Sequence, residues 1–469
     1  MKMNRKQFSL SYTAGFQKIL TLINWRVYQN LRSFTIYLAL ILSIILGIGY
    51  GYIDGHNYLD IQNKYQNNIS SVQYGNAIAK VYSQFRPRVF ISPDPHSLLI
   101  SSSIVGVRSA AELMGLFGEP IFSNPYLVDN PFLYYKQSGG FGLSFILLYA
   151  LFSILLTYRS LSTDKRIGRI KLIFSFEIKR TWYFIAEWCA TIITLFIPMI
   201  LGIFAFIITI KLIGINISAF SLLSLLLIVY GVMTISTFTT IGLWLSAISK
   251  SSRAALMLAI IIWAWAVWIW PSLSSETAQA VIQIDSEVDN TRPGLSYTDS
   301  VFLYSLPEKP PDGESDYSYG TSIESITKRY SIQSYSASKE KAIYRQYQLS
   351  KLLSYFSPIS CAQNGLISIC GTGGDGSRKF LDYCISQNKE FSKWQHSRFE
   401  EHPYLVLLRP GSLQDAGLNL KDIEPVYEFK ATDNPVEFHV LSILPNLIWN
   451  CVLLFGAIIA FNRSSLVPK

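Results

Sequence analysis

Long uncharged apolar runs alternate with polar segments along the chain, and their lengths set the architecture. Phe34–Ile53, Phe141–Tyr158, Trp188–Ile210, a run inside Ala219–Ser249, Ala254–Trp270 and Val440–Phe461 carry almost no charge. Each is close to the roughly 20 residues that cross a bilayer core as a helix. Six crossings follow. Ahead of the first run, Phe16, Ile19, Leu20, Ile23, Val27 and Leu31 recur at spacings of three and four. One apolar stripe backed by a basic face describes a helix lying in the membrane interface.

The expected order is therefore a cytoplasmic arm with an amphipathic connecting helix (1–33), span 1 (34–53) and a first extracytoplasmic region (54–136). Span 2 (141–158), a loop (159–187), span 3 (188–210), span 4 (219–249) and span 5 (254–272) come next. A large extracytoplasmic domain (273–436), span 6 (437–461) and a cytoplasmic tail (462–469) complete the chain. The fold class is a mainly α membrane protein with two outer insertions, small after span 1 and large before span 6. The large one has 164 residues, enough for a domain, either α or mixed α/β. The proline-free stretch 54–85 is able to prolong span 1 as a helix. Trp263, Trp265, Trp268 and Trp270 gather at the outer end of span 5, as an interfacial belt does, and Pro271 is expected to end that helix.

Composition sharpens this picture. Half of the residues are hydrophobic and only 15% are charged, whereas a soluble chain carries about a quarter. The formal charge of +9 divides unevenly. The segments assigned to the cytoplasm hold 17 Lys/Arg and 3 Asp/Glu, those outside 23 and 28. That is the positive-inside bias, so the excess charge is topological and no nucleic-acid partner is expected. The first apolar run is too long for a signal-peptide core and is expected to stay as an anchor. Of five cysteines, Cys361, Cys370 and Cys384 fall in the large insertion. Cys361 and Cys370 are the closest candidates for a disulfide, worth about 2–3 kcal/mol; three small apolar residues is the equally open reading.

Catalytic chemistry is hard to find. In GTGGDGSRK (371–379), Ser377 stands where a phosphate loop needs its lysine. The five histidines are scattered without metal-ligand spacing, so no metal site is expected. No Asp, Glu, Lys or Arg sits at the centre of a span, which disfavours an ion relay. The cytoplasmic pieces are too small to fold as an ATPase. Work against a gradient would need energy from another chain. The place for that chain is Arg159–Arg180, where Ile167, Ile170, Leu172, Ile173 and Phe174 alternate with seven Lys/Arg. An apolar ridge for a partner's groove and a loop that only sets topology fit the periodicity equally well.

DKRIGRIKLIFSFEIKR (164–180) resembles the signature loop of ABC-type exporter permeases of the second class, the ABC-2 type. Asp164, Gly168, Ile170, Leu172, Ile173, Ser175 and Arg180 fill the family's positions; Arg169 and Glu177 depart from it. IGLWLSAISKSSRAALMLAIIIWAWAVWIWP (241–271) is similar to the fourth and fifth spans of that family. YFSPISCAQNGLISICGTG (355–373) is similar to a subgroup with a large outer insert before the last span. The resemblance implies a permease subunit of an exporter, not itself an enzyme, pairing with a second copy or a sibling. Two cytoplasmic ATPase subunits would use ATP and Mg, and this chain would bind no cofactor. The seven loop residues would couple the ATPase to the spans, in a bacterial inner membrane with both termini cytoplasmic. A periplasmic partner for the outer domain is a further implication. The alternative is a membrane-anchored receptor or assembly factor acting through that domain.

Overall fold

The computed structural model describes residues 5–77, 85–93, 98, 110–115, 120–122, 140–176, 178–216, 222–249, 251–283, 341–369, 373–401, 424–430 and 437–463. Among these, six helices are long and apolar enough to cross a membrane. They lie in α2 (Phe34–Ala77), α3 (Phe141–Thr157, running on into α4, Ser160–Arg166), α6 (Arg180–Leu212), α7 (Leu222–Ile248), α8 (Ser252–Ala264, running on to Val281) and α13 (Glu437–Arg463). An N-terminal helix, α1 (Arg5–Leu31), precedes them and meets α2 at a turn where Ser33 Oγ donates to Asn30 O at 2.7 Å.

The tightest pairing joins α2 to α6, and three glycines explain it. Gly47, Gly51 and Gly55 recur every four residues and so share one face of α2. A Cβ at Gly47 would stand 2.4 Å from Gly202 O, at Gly51 2.8 Å from Thr209 Cβ, and at Gly55 2.7 Å from Ile213 Cδ1. Where lipid removes the hydrophobic drive between helices, such close backbone approach is what dispersion and packing require. The main core lies beside this seam, where Phe141, Phe145, Tyr149, Phe206 and Tyr230 are almost fully buried.

α2 is a single 44-residue helix. At 1.5 Å per residue it is about 66 Å long, roughly twice a bilayer core, so half of it stands beyond the bundle. Tyr65, Ile69 and Val72 on that extension support a small sheet through Phe90 and Ala110. Strands β1 (Arg88–Ile91), β2 (Ala110–Glu112), β3 (Ile121–Phe122) and β4 (Val426–Phe429) run in the order β3-β2-β1-β4. β1 and β2 pair antiparallel, whereas β4 joins β1 in parallel, Arg88 facing Val426. The two insertions, joined through strand partners 338 positions apart in sequence, thus share one sheet.

Helix α8 does not stop at Pro271. It widens into a π-helical turn over Trp265–Ile269 and continues as α9 (Trp270–Val281). A π turn shifts the bonding to i−5 (Trp270 N–H reaches Trp265 O) and the proline enters just after it, near the start of the next helical stretch, where its missing N–H costs little.

Residues 341–369 also depart from expectation. They are not wholly outside the bundle. Helical residues 341–354 (α10) run down α9: Gln346 Nε2 donates to Ile282 O at 2.9 Å, and Trp270 Nε1 donates to Leu353 O at 2.9 Å. At the turn, Ser357 Oγ donates to Ala266 O at 2.8 Å, well inside the fifth crossing helix. α11 (Pro358–Ile369) then climbs back between α7 and α13, burying Ile359, Ala362 and Leu366. Serine and asparagine side chains along the hairpin bond to each other and to backbone carbonyls, as Asn364 Nδ2 does to Ser354 Oγ at 2.5 Å. The hydroxyls of Ser354 and Ser357 and the amide of Asn364 are therefore satisfied inside the bundle, whereas the buried Ser360 Oγ has no partner among the described residues.

Candidate functional site

The loop between α3 and α6 is built from two seven-residue helices, α4 and α5 (Arg169–Ser175). They part at Gly168, whose φ of +77° places it in the left-handed region. A side chain there would meet no atom within 4 Å, so the glycine serves backbone conformation and not space. The reversal puts Asp164 and Ile170 inward, both 1% exposed. It turns Leu172 outward at 63%, beside Ile167 and Phe176. Ile173 is partly buried against the cluster of Leu22, Tyr183, Phe184 and Phe461. Ser175 Oγ donates to Leu172 O at 2.6 Å and closes the last turn of α5. Arg180 Nη1 donates to Asn462 O at 2.9 Å and ties the loop's exit to the end of α13.

Asp164 is the centre of a buried charge network. Its Oδ2 accepts from Tyr183 Oη at 2.6 Å and from the Arg26 guanidinium; its Oδ1 accepts from Arg169 Nη1 at 3.0 Å. Arg26 also donates to Tyr183 Oη at 2.8 Å and to Gln29 Oε1 at 3.1 Å, and forms an ion pair with Glu187. Glu187 Oε2 in turn accepts from Ser160 Oγ at 2.8 Å. Two arginines face two carboxylates, so the group is neutral overall, and α1, α4, α5 and α6 all contribute. Buried charges survive only when paired and hydrogen-bonded in this way. Arg26 sits over Trp25 at 4.8 Å and Arg169 over the same ring at 5.5 Å, which adds a cation–π attraction to both guanidinium groups.

Further bonds brace the loop on its other sides. Lys165 Nζ donates to Ala247 O at 2.6 Å, Ser162 N to Ser246 Oγ at 3.0 Å, and the Ser162 and Ser252 hydroxyls meet at 2.9 Å. Displacement of α4 is thus felt by α6, α7, α8 and, through Arg180, α13. Between α1 and α5 lies a cavity of about 520 Å³, floored by Leu22, Ile173 and Ile178 and rimmed by Trp25, Leu172, Phe176 and Lys18.

Of the seven loop residues expected from sequence, Asp164 is in this network, Gly168 makes the reversal, Ile170 and Ile173 pack on the apolar cluster, Leu172 is exposed, Ser175 closes α5 and Arg180 fastens the exit. Arg26, Tyr183 and Glu187 had not been singled out. One signal for Arg26 was present: it lies one turn after Leu22 and Ile23 on α1, and Asp164 is the sole acid between Arg159 and Phe176. Cys361 is a free, buried thiol whose Sγ contacts Tyr355 O at 3.4 Å; Cys370, its expected partner, lies outside the described residues. Among the described residues no three His, Cys, Asp or Glu side chains gather as metal ligands.

Six helices long and apolar enough to cross a membrane, with a short loop braced to most of them, define a multi-pass membrane protein. Residues 27–466 match the profile of the ABC-2 family transporter proteins, nearly the whole chain, and the chain belongs to that family. It is a permease component of an ABC transporter. No curated protein matches the chain.

Proposed function

We propose that Arg159–Arg180 is the coupling element through which a separate cytoplasmic ATPase drives this permease as an exporter. The carrying observation is the division of labour within α4 and α5. One side is locked into α1, α6, α7 and α13 by hydrogen bonds, and the other presents Leu172 and Phe176 to solvent at 63% and 60% exposure. A ridge that is apolar and exposed while its base is fixed to the spans transmits a push and does not absorb it. Two ATPase copies would dock on a pair of permeases, identical or sibling, in the bacterial inner membrane with both termini cytoplasmic. ATP and Mg would act in those partners, this chain contributing no catalytic group. The insertions would then stand on the periplasmic side, available to a periplasmic partner.

A photo-crosslinking amino acid at Leu172 tests this in native membranes. An adduct with a chain carrying a Walker ATPase motif is expected, with none from the same probe at Met257, which is 69% exposed on α8. Adducts with lipid alone at both positions would refute docking at the loop.

A further inference from the structure

At the end of the molecule opposite the loop, α10 and α12 (Gly374–Glu401) enclose a cleft of about 380 Å³. We infer that this cleft binds an organic phosphate: a phosphate group on a short apolar body.

Charge and shape carry the inference. Lys341 and Arg345 lie one turn apart on α10 and Arg378 faces them from α12, while Asp382 supplies the single carboxylate among the described lining residues. These residues together hold a charge of +2. Like charges at i, i+4 on one helix repel each other, and among the described residues neither Lys341 nor Arg345 has an ion pair. The adjacent Lys351–Asp375 pair, at 2.5 Å, neutralises itself and offers them nothing. Arg378 is held in place: its guanidinium lies 4.8 Å over the Tyr344 ring, and Asp382 Oδ2 is 3.9 Å from its Nε. That carboxylate is long and exposed, leaving the guanidinium's outer edge to a ligand. Ile343, Leu381 and Ile385 line the cleft with apolar surface. A phosphate monoester carries about −1.5 to −2 charges at neutral pH, which matches the lining, and Arg and Lys are its usual donors. The volume sits at the small end of the range for ligand pockets.

Gly373 and Gly374 take on a role here that is not that of a nucleotide loop. A Cβ on Gly373 would come 2.6 Å from Ile367 Cγ2, and one on Gly374 2.4 Å from Tyr347 Cδ1. They let α12 start hard against α10, which sets the cleft's width. Since α10 leads without a break to the turn at Ser357, an occupied cleft bears on the hairpin inside the bundle.

The test uses the full chain in neutral-lipid nanodiscs and hexyl phosphate as probe, titrated by calorimetry, with hexanol and inorganic phosphate as partial ligands. Hexyl phosphate is expected to bind, more tightly than either part, and to weaken as salt rises. The Lys341→Gln/Arg345→Gln variant, changed only at exposed positions, is expected to bind about tenfold or more weakly; Arg345→Lys is expected to lose less. A second arm repeats the titration in phosphatidylglycerol nanodiscs. Competition there identifies a lipid headgroup as the source, and unchanged binding identifies a soluble phosphate. No binding by the wild type, salt-independent binding, or equal binding by the double glutamine variant overturns the inference.

Discussion

Replacing Arg26 by methionine keeps an unbranched apolar stem and removes the charge, together with the guanidinium over Trp25. Two carboxylates then lose their shared partner. Asp164 retains Tyr183 and Arg169. Glu187, 3% exposed, retains the Ser160 hydroxyl and its interaction with the Tyr183 hydroxyl but no cation in the network. Breaking a buried pair from one side typically costs about 3–5 kcal/mol. The lower end applies because Asp164 keeps two donors. The loss is local, since α1 is held otherwise by Leu22, Ile19 and Ile23 against the same cluster. At 1.4 kcal/mol per tenfold, opening of α1 should become on the order of a hundredfold more frequent. Hydrogen exchange resolved over residues 17–31 in detergent reads this directly. Glu187→Gln added to Arg26→Met removes the orphaned charge and should recover at least about 1 kcal/mol, as residues in one network couple by that order. Unchanged exchange in Arg26→Met, or no recovery in the double variant, would refute the view that this network clamps α1 to the loop.

Other substitutions separate packing from conformation. Gly47→Ala meets a backbone oxygen at 2.4 Å, whereas Gly49→Ala meets nothing within 4 Å; overpacking should cost the first about 1–3 kcal/mol in thermal unfolding and leave the second neutral or slightly stabilised. Gly365→Ala would place its Cβ 2.2 Å from the Tyr230 hydroxyl and 2.5 Å from its Cζ, so it should lower the unfolding midpoint, and Tyr230→Phe added to it should restore little, because the ring edge stays in place. Gly168→Ala strains only the left-handed backbone, about 1–2 kcal/mol, and should loosen α5 in hydrogen exchange without affecting membrane insertion.

Hydrophobic runs of membrane length are a strong signal, and all six crossing helices were legible from them. Their ends were less so. Apolarity marks where a helix meets lipid, not where it stops: α2 runs on through polar residues to Ala77, and α6 starts at Arg180, eight residues before the apolar run. The hairpin 341–369 was hidden for a related reason. It faces protein, so Ser350, Ser354 and Ser357 can be buried and bonded there, and hydropathy reads them as outer surface. Gly47, Gly51 and Gly55 were visible at their four-residue spacing, but only the partner α6 gives that spacing meaning. The parallel pairing of β1 with β4 joins four-residue strands from opposite ends of the chain, and nothing local to either encodes it. In the loop, the residue types at Asp164, Gly168 and Leu172 were readable, one inward anion, one left-handed turn and one outward apolar contact. Arg26 and Glu187 were not, because their importance comes from meeting Asp164 in space.

The central claim is that the exposed ridge of the loop receives a partner's motion. The most direct measurement is ATP hydrolysis by the complex purified gently from its native host, with wild type compared with Leu172→Asp/Ile173→Asp at equal membrane insertion. The account predicts a co-purifying Walker ATPase with the wild type and its loss with the variant. An ATPase retained at full stoichiometry and activity by the variant, or a wild-type preparation with no ATPase at all, would contradict it.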